Sequence, residues 1–509
     1  MKKNLGLTRT ERFLGRLANK SFLSLWSYSN LFRDVGKELC DLLVICNDIV
    51  IIFSDKEVQF DNNSDLSIAW NRWYNRAITK SVSQLRRAFN WVNRHRERIF
   101  LDPQCSIRME LLDKFSGDLE IHLVAIANGA SRRCIEYFKG GSGSLVIKPD
   151  EPPESPSPFS VGNPGGKDLF VHVFDESNLH IILQELDTIR DFSDYLKSRQ
   201  NLIQNDSLYS SASEEDLFAV YMKDVNESGR HDFLIRSKPI LPGEKIVVEE
   251  GAYRSFRNAA PYKRKKKADR QSYFWDHLIE KFANNLTAGT LAKVPEYLGR
   301  DGQSGEAEIG LRYMALENRI SRRAHSEAIL GAFHVLKKSG GNRFFRAMIP
   351  KTPDQGNTGF CILLMKRDIM PPGSTYDQYR ELRAATLGCY TESLLERNRH
   401  LKRVIGLATE GEISSRMSED MIYHEAPEWT GEAIANAKER ARKFDIFTGN
   451  LKERAYSSSE YPETDLGLRG SFSPIPYHFL ERNLPTGERL RGNRKQRRAA
   501  ASKKRSRFQ

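Results

Sequence analysis

The stretch between residues 38 and 56 constrains the fold of this chain most, because it holds two apolar runs separated by two turn-forming residues. The runs cover 41–46 and 49–54, and the dipeptide Asn47-Asp48 lies between them. Asn and Asp tolerate the backbone of a tight two-residue turn, so the pattern predicts a β-hairpin. In such a hairpin residue i pairs with residue 95 − i, which places Asp41 opposite Ser54.

The predicted register gathers three polar side chains at the open end of the hairpin. Directly opposed residues share a face of a sheet, and so do residues two apart on one strand. Asp41, Ser54 and Lys56 therefore point to one side, whereas Asp55 points to the other. Burying charged side chains in such an apolar hairpin costs free energy, so their presence there suggests a functional role. We therefore take this end of the hairpin as the candidate site.

Length and composition predict a soluble, cytoplasmic protein of several domains. The chain has 509 residues, of which 39% are hydrophobic and 10% aromatic, and roughly 150 residues make one domain. No run approaches the roughly 20 apolar residues of a membrane-spanning helix, which predicts no membrane partner. The first residues lack the apolar block of a signal peptide.

The six cysteines predict neither a zinc site nor a disulfide framework. They lie at positions 40, 46, 105, 134, 361 and 389, and no two have CxxC spacing. We expect reduced thiols packed in the interior.

The formal charge of +13 is concentrated in two basic runs. Residues 489–509 contain ten Arg or Lys and no acid, so the rest of the chain is nearly balanced, and a second run covers 263–267. Basic runs are often solvated surface, but two of them favour a polyanion such as nucleic acid as partner. The predicted nucleic-acid-binding residues are Lys263, Arg264, Lys265, Lys266, Lys267, Arg494, Lys495, Arg497, Arg498, Lys503, Lys504 and Arg505.

The hairpin and its neighbours resemble the PD-(D/E)XK, or restriction-endonuclease-like, nuclease superfamily over about the first 100 residues. A predicted helix at 7–33 precedes the hairpin, and a long predicted helix at 67–98 follows it. The resemblance implies an α/β fold with an α-β-β-β-α core. It also implies cleavage of DNA assisted by Mg²⁺ or Mn²⁺. It makes Asp41, Lys56 and Gln84 catalytic residues, with Asp41 also a metal ligand.

The chain departs from the family pattern at Ser54, where the family has a second acid. Serine is a weaker ligand than a carboxylate for a hard cation. Three explanations are open at this point. A β-bulge turns Asp55 into the site, Glu38 or Glu11 supplies the second carboxylate, or the domain binds nucleic acid without cutting it.

Shifts in composition divide the chain into five predicted segments. These are a nuclease-like domain at 1–139, a Gly/Ser/Pro-rich linker or loop at 140–168, mixed α/β segments at 169–281 and 282–448, and an irregular region with a basic disordered tail at 449–509. The clearest predicted strands cover 121–126, 169–174, 343–349, 359–365 and 404–409, and the clearest further helices cover 181–197, 319–337 and 379–399. Residues 169–448 are the predicted region for protein partners.

Two functions are consistent with the sequence. The first is a metal-dependent endonuclease acting on DNA, which suits phage defence or nucleic-acid processing. The alternative is a non-catalytic nucleic-acid-binding or interaction protein with a degenerate nuclease fold. Arg319 and His325 have a spacing similar to the catalytic pair of HEPN ribonucleases, but we interpret their helix as an exposed basic face.

Overall fold

The structure, a computed structural model, describes residues 9–112, 117–226, 229–235, 237–290, 304–350, 356–411, 418–447 and 458–463. The chain divides into two units, Met1–Tyr461 and Pro462–Gln509. Every element below belongs to the first unit. The predicted basic tail at 489–509 lies outside the described residues. The described part confirms a mixed α/β protein.

The N-terminal sheet has five strands in the order β1-β2-β3-β4-β7. The first three strands are antiparallel neighbours, and β4 and β7 run parallel to β3. The bounds are β1 Ser27–Asp34, β2 Lys37–Cys46, β3 Ile49–Glu57, β4 Glu120–Asn128 and β7 His172–Phe174. Helix α1 (Arg9–Phe22) precedes β1, so a helix comes before the first three strands in the described part of the chain.

The hairpin register predicted from the sequence is confirmed. Leu42 pairs with Phe53 and Cys46 pairs with Ile49, and Asn47 has the positive φ of 57° that the turn requires. Alternate residues of the two strands enter different apolar cores on the two sides of the sheet. The hairpin is therefore buried on both faces, and Asp41, Ser54 and Asp55 at its polar end are buried as well.

A long helical segment covers one face of this sheet and connects β3 to β4. It consists of α2 (Leu66–Tyr74), a π-helical turn (Asn75–Thr79) and α3 (Lys80–Arg94). Asp65 caps its first turn by accepting hydrogen bonds from two backbone N–H groups. Its apolar side, including Trp70, is buried against the sheet. The predicted helix at 67–98 is confirmed, with boundaries shifted by a few residues.

The predicted helix at 7–33 is only half right, because β1 occupies its second part. Ser27 pairs with Val44 and Leu31 with Cys40, but the register shifts after Leu31. This irregular pairing interrupts the two-residue alternation that identifies a strand. The apolar residues of 22–32 therefore resemble a helical pattern in the sequence.

The predicted linker at 140–168 is instead packed against the protein. It contributes β5 (Val146–Ile147) and β6 (Ser160–Val161) to a second sheet, in which the order is β11-β8-β5-β6. Phe159 is fully buried, and the carbonyl of Pro156 accepts a hydrogen bond from the indole of Trp70. The Gly, Ser and Pro residues supply the chain reversals between short strands rather than a flexible connection.

Between β4 and the elements of the third sheet, the chain forms further helices and short strands. Their bounds are α4 Ser131–Phe138, α5 Leu179–Glu185, α6 Ile189–Gln204, β8 Leu208–Ser211, α7 Glu214–Lys223, β9 Leu234–Ile235, β10 Lys238–Pro239, β11 Ile246–Val248, α8 Ala252–Asn258, α9 Ala260–Asp269 and α10 Tyr273–Ala288. The predicted helix at 181–197 is thus divided into α5 and α6.

A third sheet has the order β12-β13-β14-β15, with a parallel central pair and antiparallel outer pairs. The bounds are α11 Ser304–Ala315, α12 Arg319–Ser339, β12 Arg343–Met348, β13 Thr358–Met365, α13 Tyr376–Arg397, β14 Arg403–Glu410, β15 Glu419–Glu425 and α14 Gly431–Lys443. The strands and helices predicted for this region are confirmed.

Two expectations from composition can be compared directly with the structure. All six cysteines are free thiols, and five of them are buried. Among the helices that are described, none combines the length and the apolar character needed to cross a membrane.

Candidate functional site

The candidate site lies where β2 and β3 separate. The ladder between them ends at the pair Leu42–Phe53, whereas β3 continues to pair with β4 as far as Glu57. At this point the Asp41 carboxylate accepts a hydrogen bond of 2.5 Å from the backbone N–H of Asp55. A side chain thus takes the place of a strand partner, and Asp41 is held 4% exposed at the point of divergence.

Three further side chains complete a hydrogen-bonded cluster around Asp41. The Lys56 ammonium lies 3.5 Å from Asp41 Oδ2, and the Gln84 side-chain amide donates to Asp41 Oδ1 at 3.3 Å. The Ser54 hydroxyl donates to Gln84 Oε1 at 3.1 Å. Asp41 and Ser54 are buried, whereas 32% of the Lys56 side chain is exposed. Asp41, Ser54 and Lys56 thus lie together as the predicted register requires, and Gln84, which only the resemblance suggested, contacts them.

The second predicted ligand, Asp55, lies on the opposite face of β3. Its carboxylate accepts a hydrogen bond of 2.8 Å from the side-chain amide of Asn128 on β4. The pairing of β3 with β4 runs from Ile49 to Glu57 without a register shift, so no bulge turns Asp55 towards Asp41. The first of the three open explanations is therefore excluded.

Glu38 does not provide the missing carboxylate either. It is exposed near the start of β2, three residues before Asp41. The pairing of β2 with β1 is irregular at Leu39, so alternation does not fix the face of Glu38, but Glu38 is exposed whereas Asp41 is buried. The Glu11 side chain lies outside the described part of the chain.

The residues present do not fit the magnesium or manganese centre that the resemblance implies. Both Asp41 carboxylate oxygens already accept hydrogen bonds, from the Asp55 backbone and the Lys56 and Gln84 side chains. Ser54, in the position of the second acid, is neutral. Across the described ranges, the structure contains no group of three or more His, Cys, Asp or Glu side chains able to hold a metal ion. A hard cation prefers several oxygen ligands, and the predicted set of Asp41, Asp55 and Glu38 is not assembled.

The basic run at 263–267 forms part of helix α9 rather than a solvated loop. Lys265 is 5% exposed, and its ammonium lies 2.6 Å from Asp269 and 2.9 Å from Glu460. The Lys266 ammonium lies 3.1 Å from Glu185. Five consecutive residues on a helix point to all sides, so some of them must enter the protein. Of the five predicted nucleic-acid-binding residues of this run, Lys263 and Lys267 are exposed, and Arg264 is partly buried.

The predicted exposed basic face of α12 is buried. Arg319 and Arg322 both pair with Asp276, at 2.8 Å and 2.6 Å, and Arg323 pairs with Asp269 at 3.0 Å. These arginines connect α12 to α9 and α10, which explains why charged residues are tolerated in the interior. Arg319 is therefore buried and paired within the protein interior, which gives no support to the similarity with HEPN ribonucleases.

Sequence reasoning missed Asn128, which fixes the carboxylate of Asp55. Asn128 ends β4, and the carboxyl ends of neighbouring parallel strands meet at one edge of a sheet. Once β3 and β4 are recognised as a parallel pair, their last polar residues are candidates for contact. The sequence gives no direct sign of that pairing, because 62 residues separate Glu57 from Glu120.

Comparison of the chain with protein-family models, with curated proteins and with solved structures gives no match.

Proposed function

We propose that the N-terminal region of this chain binds nucleic acid through a nuclease-like core and does not cleave it by a metal-dependent route. The observation that carries this proposal is the environment of the Asp41 carboxylate. It accepts three hydrogen bonds, and the described residues place no second acid in a metal-binding group with it. Asp41 is then a positioning residue for Lys56 and Gln84 rather than a metal ligand.

Lys56 and Gln84 have the chemistry to contact a phosphodiester. The Lys56 side chain is partly exposed, and an ammonium is a strong donor to phosphate oxygens. The amide of Gln84 is a neutral donor on the same side of β3. Asp41 holds both groups in place from the buried side, so less conformational freedom is lost when a phosphate binds.

A second candidate function is cleavage of DNA with Mg²⁺ or Mn²⁺. It is favoured by the convergence of Asp41, Lys56 and Gln84, which resembles the arrangement expected of a PD-(D/E)XK nuclease. It requires ligands that the described residues do not place together. We therefore rank it second.

One experiment separates the two functions. Purified full-length protein is incubated with plasmid and linear DNA, with Mg²⁺, with Mn²⁺ and with EDTA, and binding and cleavage are both measured. We expect binding in all three conditions and cleavage in none. Metal-dependent cleavage that is lost in both Asp41→Asn and Lys56→Ala would overturn the leading proposal and support the second.

The binding role is tested with a matched lysine in the same hairpin. Lys56→Ala removes a partly exposed side chain at the site, whereas Lys37→Ala removes one that is 65% exposed at the first residue of β2, four residues before Asp41. We expect Lys56→Ala to weaken binding several-fold and Lys37→Ala to leave it unchanged. Equal affinities for both variants would exclude the site as a point of contact.

A further inference from the structure

The long helical segment that covers the N-terminal sheet has an unusual charge composition. Residues 66–94 contain six Arg or Lys and no Asp or Glu, and the six are Arg72, Arg76, Lys80, Arg86, Arg87 and Arg94. Exposed helical faces normally mix both signs, because oppositely charged neighbours three or four residues apart stabilise the helix. A helical segment of this length without an acid favours a polyanionic partner.

Four of these cations lie along one side of the helical segment. Arg72, Arg76 and Lys80 follow each other at intervals of four residues, and Arg87 lies two turns beyond Lys80; all four are exposed. In a regular α-helix, each side chain in a series spaced four residues apart is rotated about the helix axis by about 40° from the one before. The wider π-turn at 75–79 offsets this rotation. We call Arg72, Arg76, Lys80 and Arg87 the cationic stripe.

The cationic stripe leads directly to the candidate site. At about 1.5 Å of rise per residue, neighbouring cations of the first half lie about 6 Å apart along the axis, and the whole stripe extends for about 22 Å. Gln84, which hydrogen-bonds Asp41, lies between Lys80 and Arg87 in sequence. At the other end, Arg72 and Arg76 line a cleft with Gln59 and Trp73 just beyond β3.

The stripe is available to a partner. Arg72 lies 3.7 Å from Asp61, but 61% of its side chain is exposed. Arg76, Lys80 and Arg87 make no ion pair with any residue in the described ranges. Arg86 is not part of the stripe, because its guanidinium donates to the carbonyl of Gly165. Like charges in such a row repel each other, and a partner with repeated negative charges relieves the repulsion.

We propose that the cationic stripe is a track for the sugar–phosphate backbone of nucleic acid, which it leads past Lys56 and Gln84. This inference rests on the proposed function, because it assigns a partner surface to the same site. Contacts from Arg and Lys to phosphates fix the position of a nucleic acid but do not read its sequence. Binding through the stripe is therefore salt-dependent and independent of sequence.

A nucleic acid fits this surface better than an anionic membrane. The apolar side chains of the helical segment, among them Trp70, Trp73 and Leu85, are buried in the protein core. Helices that bind membrane surfaces instead expose an apolar face that enters the lipid. The linear row of cations matches a linear polyanion.

The first test measures how the affinity of the full-length protein depends on salt. The stripe variant is Arg76→Gln/Lys80→Gln/Arg87→Gln, and the control is Lys223→Gln/Arg230→Gln/Lys238→Gln, which removes the same charge from exposed residues elsewhere. The salt slope is the magnitude of the change in the logarithm of the binding constant per unit change in the logarithm of the salt concentration. On duplex DNA we expect the stripe variant to lower this slope by about 2 to 3. We expect its affinity at 0.1 M salt to fall on the order of 100-fold. We expect the control to match the wild type.

The second test observes contact directly and is insensitive to binding by other basic segments. Lys80 is the single lysine between residues 66 and 94, so its acetylation by an amine-reactive reagent can be followed by mass spectrometry. We expect duplex DNA, single-stranded DNA or RNA of equal length to protect Lys80, and the most protective of the three identifies the preferred form. Protection by anionic phospholipid vesicles and by none of the nucleic acids would overturn the proposal.

The outcomes for the stripe and for the site can be told apart. If the wild type binds but the stripe variant behaves like its control, or Lys80 is unprotected, the stripe proposal is wrong and the role of Lys56 stands. If the stripe variant is weakened but Lys56→Ala is not, the stripe is supported and the role of the site is wrong. No binding by the wild type would exclude both.

Discussion

Replacing Asp41 tests whether its carboxylate holds the end of the hairpin together. Asp41→Ala removes the acceptor of the Asp55 N–H, and leaving such a buried donor without a partner costs about 1–3 kcal/mol. The Lys56 pair adds at most about 1 kcal/mol, because 32% of that side chain is exposed to water. We therefore expect the free energy of opening this region to fall by about 1–4 kcal/mol.

Asp41→Asn is the matched variant with a smaller expected effect. The asparagine oxygen can still accept from Asp55, and a reversed Gln84 amide can satisfy the new amide group while donating to Ser54. We expect a loss of about 1 kcal/mol. Lys56→Ala should also lose no more than about 1 kcal/mol.

Hydrogen–deuterium exchange of a peptide covering residues 50–57 measures these differences at the place where they arise. Because about 1.4 kcal/mol corresponds to a tenfold change, Asp41→Ala should increase exchange at Asp55 by roughly 5- to 1,000-fold. Unchanged protection in Asp41→Ala would refute the structural role of the carboxylate. So would equal effects of Asp41→Ala and Lys56→Ala, since the charge pair would then account for the whole loss.

Three further changes probe the missing acid, a buried histidine and a buried ion pair. Ser54→Asp adds a second carboxylate at a fully buried position, so it should lower the thermal midpoint without metal. Mn²⁺ at a hundredfold excess over its Kd should then restore about 3 kcal/mol, and it should not affect the wild type. Burial and the neighbouring Arg199 lower the pKa of His172 well below its usual value. The unfolded chain therefore binds the proton more readily, and stability present above pH 6.5 is lost as the pH falls further; His172→Phe should flatten this loss in urea titrations at several pH values. Glu460→Gln leaves the buried Lys265 ammonium without one of its two carboxylates and should cost about 3–5 kcal/mol in chemical denaturation.

Each of these changes has a control and a contrary outcome. Ser83→Asp places a carboxylate on the exposed side of α3, and stabilisation of this variant by Mn²⁺ would show that the effect is not specific to the site. If the stability of His172→Phe falls below pH 6.5 as steeply as that of the wild type, other groups account for the pH dependence. Glu428→Gln neutralises an exposed acid and should be neutral, and an equal loss in both glutamate variants would contradict the importance of the buried pair.

The candidate site was accessible from the sequence because it depends on local geometry. A two-residue turn fixes the register of its strands, so the shared face of Asp41, Ser54 and Lys56 followed from counting residues. The position of Asp55 on the opposite face of β3 followed from the same count. The contact with Gln84 required a tertiary arrangement, and only the resemblance suggested it.

The parts that were predicted incorrectly depend on contacts between distant segments. A run of basic residues predicts solvent exposure, but Lys265 and Arg323 both pair with Asp269 in the interior. Such pairs require the docking of α9 against α12, which no local pattern reports. The segment at 140–168 is similar, because its composition is that of a loop and its packing depends on Trp70.

The π-turn at 75–79 makes this domain sensitive to the number of its residues as well as to their identity. Deleting one residue there would rotate everything after it by about 100° relative to α2. After such a deletion, Leu85 could remain in the core or Gln84 could remain beside Asp41, but not both. Insertions and deletions in these five positions should therefore be tolerated far less well than substitutions at the exposed ones.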